Sequence, residues 1–306
     1  DTFFWRPLEI HADGVAMLSL SVALTPANLS TRFAPDVSCA VVIDVLRATS
    51  VMTAAVAAGA KEFITCESIE AARRRAMNFD PRALLCGERA CKQIDGFDFG
   101  NSPLDYTPQR VAGRTLVLTT TNGTRAIGVV RDAQRLLIAS FLNLTATLEA
   151  IADESHVDLV CAGTEGHISY EDVLLAGAVV DRLLRLHPDV EYDDSARIAR
   201  ASWQAVTTTG DPTQDGLEQS LRRSLGGRNL IALGFDNDIR YCASIDVIPT
   251  IVQRKPGTVS TFQRMLVAKG LPTRRTAAAG VCVSAQRQRT RTRHLVHFEF
   301  SGGDLS

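Results

Sequence analysis

Cys39-Ala-Val-Val-Ile-Asp-Val-Leu-Arg-Ala-Thr-Ser50 is the stretch on which the fold turns. Its first five residues are apolar without alternation, the pattern of a strand covered on both faces. The run ends on Asp44 and Arg47, and Thr49 and Ser50 stand where a helix should begin. A carboxylate, a guanidinium and two hydroxyls thus gather at one strand's carboxyl end, where open α/β sheets bind their ligands. Such a group can hold a metal ion together with a phosphate. It can equally be a helix cap with one salt bridge, and the stretch alone allows both.

Outward from this segment, strand and helix patterns alternate. Strands are expected over residues 19–24, 62–66, 83–86, 114–121, 136–140 and 157–162. Helices are expected over 50–58, 68–78, 143–152 and 169–186, with a short one ending near 130. About six repeats of this kind imply a three-layer α/β fold, a mostly parallel or mixed sheet with helices on both faces. Polar residues recur at the strand ends, so a site assembled from several loops along one sheet edge is expected. Residues 1–17 read as an irregular leader, 18–249 as the α/β domain, and 250–306 as a basic, flexible tail without apolar period.

The chain has 306 residues, 45% hydrophobic and 22% charged, enough to bury a large core. Its net charge of −1 hides an asymmetry: residues 250–306 carry ten Lys and Arg against two acids, leaving 23 basic and 32 acidic side chains elsewhere. An acidic body argues against nucleic acid as the main partner. The seven cysteines lack CxxC spacing, so neither a disulfide framework nor a zinc site is expected. No apolar run approaches the ~20 residues of a membrane helix, and a cytoplasmic protein is the expectation.

Several chemistries are excluded by motif. There is no GxxxxGK[ST], no GxGxxG after a strand, no GxSxG elbow and no Cys-x5-Arg loop. What remains are Thr-, Asn- and Gly-rich loops after strands. Thr119-Thr-Thr-Asn-Gly-Thr124 offers hydroxyls, a carboxamide and backbone N–H groups at a helix start, which suit an anion. The plain alternative is a Thr-rich strand ending in an Asn-Gly turn. Arg47 and Arg89 can each grip an anion bidentately, or serve as structural ion-pair partners. Asp44, Glu88, Asp98, Glu171 and Asp172 are the acidic candidates. Mg2+ takes one or two carboxylates plus substrate oxygens. Glu171 and Asp172 project about 100° apart on a helix, so one of them is expected to reach the site.

Taken together these segments resemble the 2-phosphosulfolactate phosphatase family. The resemblance is carried by Val42-Ile-Asp-Val-Leu-Arg-Ala-Thr49, Gly87-Glu-Arg89, Gly96-Phe-Asp-Phe-Gly-Asn-Ser-Pro103 and Thr119-Thr-Thr-Asn-Gly-Thr124. Ala139-Ser-Phe-Leu-Asn-Leu144 and Cys161-Ala-Gly163 with Ser169, Glu171 and Asp172 complete it. It covers roughly residues 18–249 and implies Mg2+-dependent hydrolysis of the phosphate ester of a 2-hydroxy carboxylic acid, in a family associated with coenzyme M biosynthesis. On this basis Asp44, Arg47 and Arg89 are expected to be catalytic. Thr49, Ser50, Asn101, Ser102, Thr120, Thr121, Asn122, Gly123, Thr124 and Asn143 are expected to bind substrate. Asp44, Glu88, Glu171 and Asp172 are the candidate metal ligands. A non-catalytic binding protein for a phosphorylated metabolite is the alternative, and a homodimer is the expected assembly.

Overall fold

The computed structural model describes residues 18–29, 38–207 and 213–265. Strand β2 (Cys39–Ile43) is buried along its whole length. Cys39, Val41 and Ile43 enter one core, and Ala40 and Val42 the other. That is why its sequence shows no alternation: helices cover both of its faces.

Around β2 lies a parallel block. It pairs with β7 (Arg135–Ala139) on one side and β8 (His156–Cys161) on the other, while β1 (Ser19–Ala23) pairs with β8 and with β9 (Glu191–Tyr192). A second parallel block holds β3 (Glu62–Thr65), β6 (Thr115–Thr119) and β4 (Leu84–Arg89), and the short β5 (Lys92–Gln93) runs antiparallel at its edge. The two blocks are joined by a hairpin, β10 (Ile251–Arg254) and β11 (Thr261–Met265), whose strands run antiparallel to each other, to β7 and to β3. The sheet is therefore mixed, in the order β5-β4-β6-β3-β11-β10-β7-β2-β8-β1-β9.

Three successive antiparallel pairings make the β3 block run opposite to the β7 block. In a flat sheet their carboxyl ends would lie on opposite edges. A twist of about 20–25° per strand, accumulated over the five steps from β2 to β6, turns one block by about 100–125° against the other. The loops after β6 and β8 consequently touch, with the Glu165 amide donating to Asn122 Oδ1 at 3.1 Å. The sequence expectation of a single edge is replaced by two converging ones.

Helices α1 (Ala48–Ala57) and α4 (Gly123–Val129) pack on one face with Phe63, Leu116, Leu118, Val252 and Phe262. Helices α5 (Leu144–Ile151), α6 (Tyr170–Leu186) and α7 (Asp194–Val206) cover the other around Phe141 and Trp203. Helix α2 (Ile69–Ala76) covers the far block with Ile64, Leu85 and Val117, and the short α3 (Pro108–Val111) precedes β6. Beyond α7 the chain adds α8 (Gln214–Arg223), α9 (Leu225–Ala232) and α10 (Asp236–Cys242) before the hairpin. The three-layer α/β expectation is met.

The expected domain end at residue 249 is corrected. β10 and β11 lie beyond it, with Val252 and Phe262 fully buried in the middle of the sheet. The strands have four and five residues, include Arg254 and Arg264, and are buried only at Ile251-Val252 and Thr261-Phe262, so local basic composition masked two short buried pairs. The expected leader, 1–17, and the rest of the expected tail, 266–306, lie outside the described residues. Among the described residues no helix is long and apolar enough to cross a membrane, and the six described cysteines form no disulfide.

Candidate active site

The turn leaving β2 is built by its own hydroxyls. Thr49 Oγ1 donates to the Asp44 carbonyl at 2.8 Å, the Asp44 amide donates to Thr49 Oγ1 at 3.1 Å, and Ser50 Oγ donates to the Val45 carbonyl at 2.8 Å. Both residues are buried inside the turn, so they shape it rather than face a ligand. Asp44 Oδ1 accepts from the Ala48 amide at 3.1 Å, which points the carboxylate along the first turn of α1. Its other oxygen lies against Gly123: a Cβ there would sit 2.7 Å from Asp44 Oδ2 and 2.6 Å from Ala48 Cβ. Glycine at 123 is thus required by the close approach of the two blocks.

Between the blocks is a cavity of about 390 Å³. Of the expected residues it is lined by Asp44, Arg47, Glu88, Asn101, Thr121 and Asn122. Cys91, Thr164, Glu165, Gly226 and Asn229 complete much of its wall and were not anticipated. The Thr164-Glu165 turn follows β8 and was visible as a strand-end loop. Gly226 and Asn229 come from α9, whose sequence gives no sign of facing a site.

Arg47 is 2% exposed and heavily engaged. Its Nη1 donates to Asp238 Oδ2 at 2.5 Å, its Nη2 to the Cys91 carbonyl at 3.0 Å, and its Cζ lies 4.4 Å from the Phe235 ring centroid. Ser102 Oγ donates to the other Asp238 oxygen at 2.7 Å, so Ser102 supports the ion pair rather than lining the cavity. Arg89 does not line the cavity either. Its fork donates to the carbonyls of Glu88 and Thr119 and to Thr119 Oγ1, clamping β4 to β6. Thr124 Oγ1 donates to the Thr120 carbonyl and its amide to Thr120 Oγ1, closing the first turn of α4 beside a separate surface groove.

Asn143 is placed elsewhere. Its carboxamide accepts from the Ser140 amide at 2.8 Å and donates to the carbonyls of Ile138 and Thr250, tying the end of β7 to the segment before β10. The expectation of substrate binding by Asn143 is not matched by this position, because every polar atom of its side chain is spent on the scaffold. Asn143→Ala should lower stability by about 1–3 kcal/mol through the buried groups left unpaired, with kcat unchanged. Urea unfolding beside steady-state kinetics checks this.

The four acids differ in what their oxygens do. Glu88 accepts from the amides of Thr121 and Cys91, at 2.8 and 2.9 Å. Asp172 accepts from the Val45 amide at 2.9 Å and the Gly163 amide at 3.0 Å, holding the exits of β2 and β8 together. Glu171 is 2% exposed, its Oε2 has no partner, and its Oε1 lies where a Cβ on Gly226 would collide. Asn101 Oδ1 is likewise buried and unpartnered at the cavity wall. One of Glu171 and Asp172 was expected to reach the site; both are buried, and neither lines the cavity itself.

Burial chiefly, then the charges of Glu88 and Glu171, push the Asp44 carboxyl up to about 7, against the pull of the Ala48 amide and Arg47. Burial also raises Glu171, and burial with Glu171 and Asp44 raises Asp172 well above the usual carboxylate range. A carboxyl raised in the folded state favours folding while it holds its proton, and that contribution is lost as pH rises through the folded value. Without divalent ions, stability should therefore fall between about pH 4 and about pH 7. The slope should shrink in Asp44→Asn, as read by urea unfolding in EDTA.

Among the described residues no group of three or more His, Cys, Asp and Glu side chains closes on one point as a metal cage. Asp44 and the unpartnered Asn101 Oδ1, which both line the cavity, instead suit a hard cation that takes few protein ligands and completes its shell with ligand oxygens.

A sequence model of the 2-phosphosulpholactate phosphatase family matches residues 23–256, a span that includes β10 and the whole cavity wall. The chain is similar to the probable 2-phosphosulfolactate phosphatase of Thermotoga petrophila, 42% identical over 69% of this chain and 87% of that one. It is 41% identical to that of Caldanaerobacter subterraneus subsp. tengcongensis, over 73% and 90%, and 39% identical to that of Synechococcus sp., over 79% and 99%. The chain therefore belongs to the 2-phosphosulpholactate phosphatase family and is a phosphoric monoester hydrolase.

Proposed function

We propose that the chain hydrolyses the phosphate ester of a 2-hydroxy carboxylic acid, 2-phosphosulfolactate to sulfolactate and phosphate, with Mg2+ as cofactor. One observation carries the cofactor: Asp44, Glu88 and Glu165 line the cavity, and the cation Arg47 beside them is already neutralised by Asp238. A substrate bearing a phosphate and a carboxylate would meet net negative charge there unless a divalent ion entered with it. Asp44 and Asn101 would hold that ion, with the buried Glu171 behind Gly226 adding negative charge. Bound Mg2+ would neutralise charge on the phosphoryl oxygens and align the ester.

The chain's own groups do the rest. Arg47 presents its uncommitted N–H donors to phosphoryl oxygens from a position fixed by Asp238 and Cys91. Thr121 and Asn122 close the side formed by the β6 loop, and Asn229 the side formed by α9. Asp44 either accepts the proton of a water that attacks phosphorus or attacks phosphorus itself. In both routes the ester P–O bond breaks and the 2-hydroxy acid leaves; in the second a water then releases phosphate from the acyl phosphate. Chemical trapping of a phosphorylated Asp44 separates the two routes.

The test is a panel of 2-hydroxy acid phosphates and a generic aryl phosphate, assayed with Mg2+ and with EDTA. Phosphate release should favour the 2-hydroxy acid esters and stop in EDTA. Equal turnover in EDTA removes the cofactor, and a preference for the aryl ester removes the substrate class.

A further inference from the structure

The residue that fixes Arg47 comes from far along the chain. Asp238, on α10, lies 191 residues from Arg47 and is as deeply buried, with side-chain exposures of 3% and 2%. Its two oxygens are used in different directions: Oδ2 takes Arg47 Nη1, and Oδ1 takes Ser102 Oγ at 2.7 Å. Phe235, just before α10, lays its ring against the same guanidinium. Arg47 is therefore gripped edge-on by a carboxylate, face-on by a ring and from a third side by the Cys91 carbonyl.

A guanidinium carries five N–H donors, and the two given to Asp238 and Cys91 leave three for a ligand in the cavity that Arg47 lines. We infer that Asp238 is a positioning residue for phosphoryl transfer. Braced by Ser102 and Phe235, it sets the plane of the Arg47 guanidinium, so that docking of α10 completes the phosphate-binding wall. Asp238 contributes no group to the reacting atoms. It acts by fixing the direction of the remaining donors, and a misplacement of about 1 Å is enough to lower turnover by about 100-fold. This inference rests on the cavity being the phosphate-ester site.

The test uses the full chain and the same esters. Asp238→Asn keeps the shape of the side chain and removes its charge, and kcat should fall by about 10- to 100-fold with a smaller change in KM. Ser102→Ala and Phe235→Leu keep the ion pair and loosen its supports. Each should lower kcat by about threefold to tenfold, and they decide the matter if Asp238→Asn does not fold. In an Arg47→Met background, Asp238→Leu should cause no further loss of kcat/KM, because the residue it would position is gone. Additive losses in that cycle, or wild-type kcat in the well-folded single variants, overturn the inference. If the wild-type chain hydrolyses none of the esters, the functional reading falls and takes this inference with it. If it does hydrolyse them and the losses add, this inference alone falls.

Discussion

Asp44→Asn abolishes most turnover and leaves the fold intact: kcat/KM should drop by about 10²- to 10³-fold with no loss of thermal stability in EDTA. The two halves of this expectation have the same cause. An asparagine oxygen can keep the acceptor position toward the Ala48 amide. What disappears is a buried charge that Glu88 and Glu171 oppose and that burial alone disfavours. Removing it relieves the folded state and deprives the reacting centre of its best-placed carboxylate, the usual exchange between stability and activity at a site. Steady-state kinetics and thermal unfolding on the same preparation read both. Near-normal turnover with Mg2+ present would remove Asp44 from the mechanism.

Arg47→Met should be the most destabilising change at the site, by about 3–5 kcal/mol. The guanidinium is buried, and its loss strands the Asp238 carboxylate with only Ser102 as a partner. Replacing both members, as Arg47→Met with Asp238→Leu, should restore much of the stability, since an apolar pair of similar volume needs no compensation. Activity should not return with it. Urea unfolding of the two single variants and the double one measures the coupling directly. Equal stability of Arg47→Met and the wild type would mean that the pair is not buried as described.

The sequence was legible where one strand's environment is uniform. The unbroken apolar run of β2 announced a strand covered on both sides, and the loops after β2, β6 and β8 were correctly placed at carboxyl ends. It was less legible where residue type underdetermines role. Asn143, Arg89 and Ser50 have the chemistry of a phosphate site, yet each spends its polar atoms on carbonyls and amides of the scaffold. A one-dimensional reading sees the donor and not its partner. Asp238 and Asn229 were missed for the opposite reason: they sit in helices that look like ordinary amphipathic surface segments, and only the docking of those helices brings Asn229 to the cavity and Asp238 to Arg47. The reversal between the two parallel blocks was also hidden, because it depends on a hairpin contributed from far downstream of β3 and β7, the strands it joins in the sheet.

That hairpin has a consequence for biogenesis. β10 and β11 are made after the other described strands but occupy the middle of the sheet. Until the ribosome has released them, β7 and β3 each present an open edge, and the two sides of the cleft lack the strands that join them through the sheet. Maturation of the enzyme thereby waits on residues 251–265, and a nascent chain halted before residue 250 should self-associate through those open edges and be captured by a holdase.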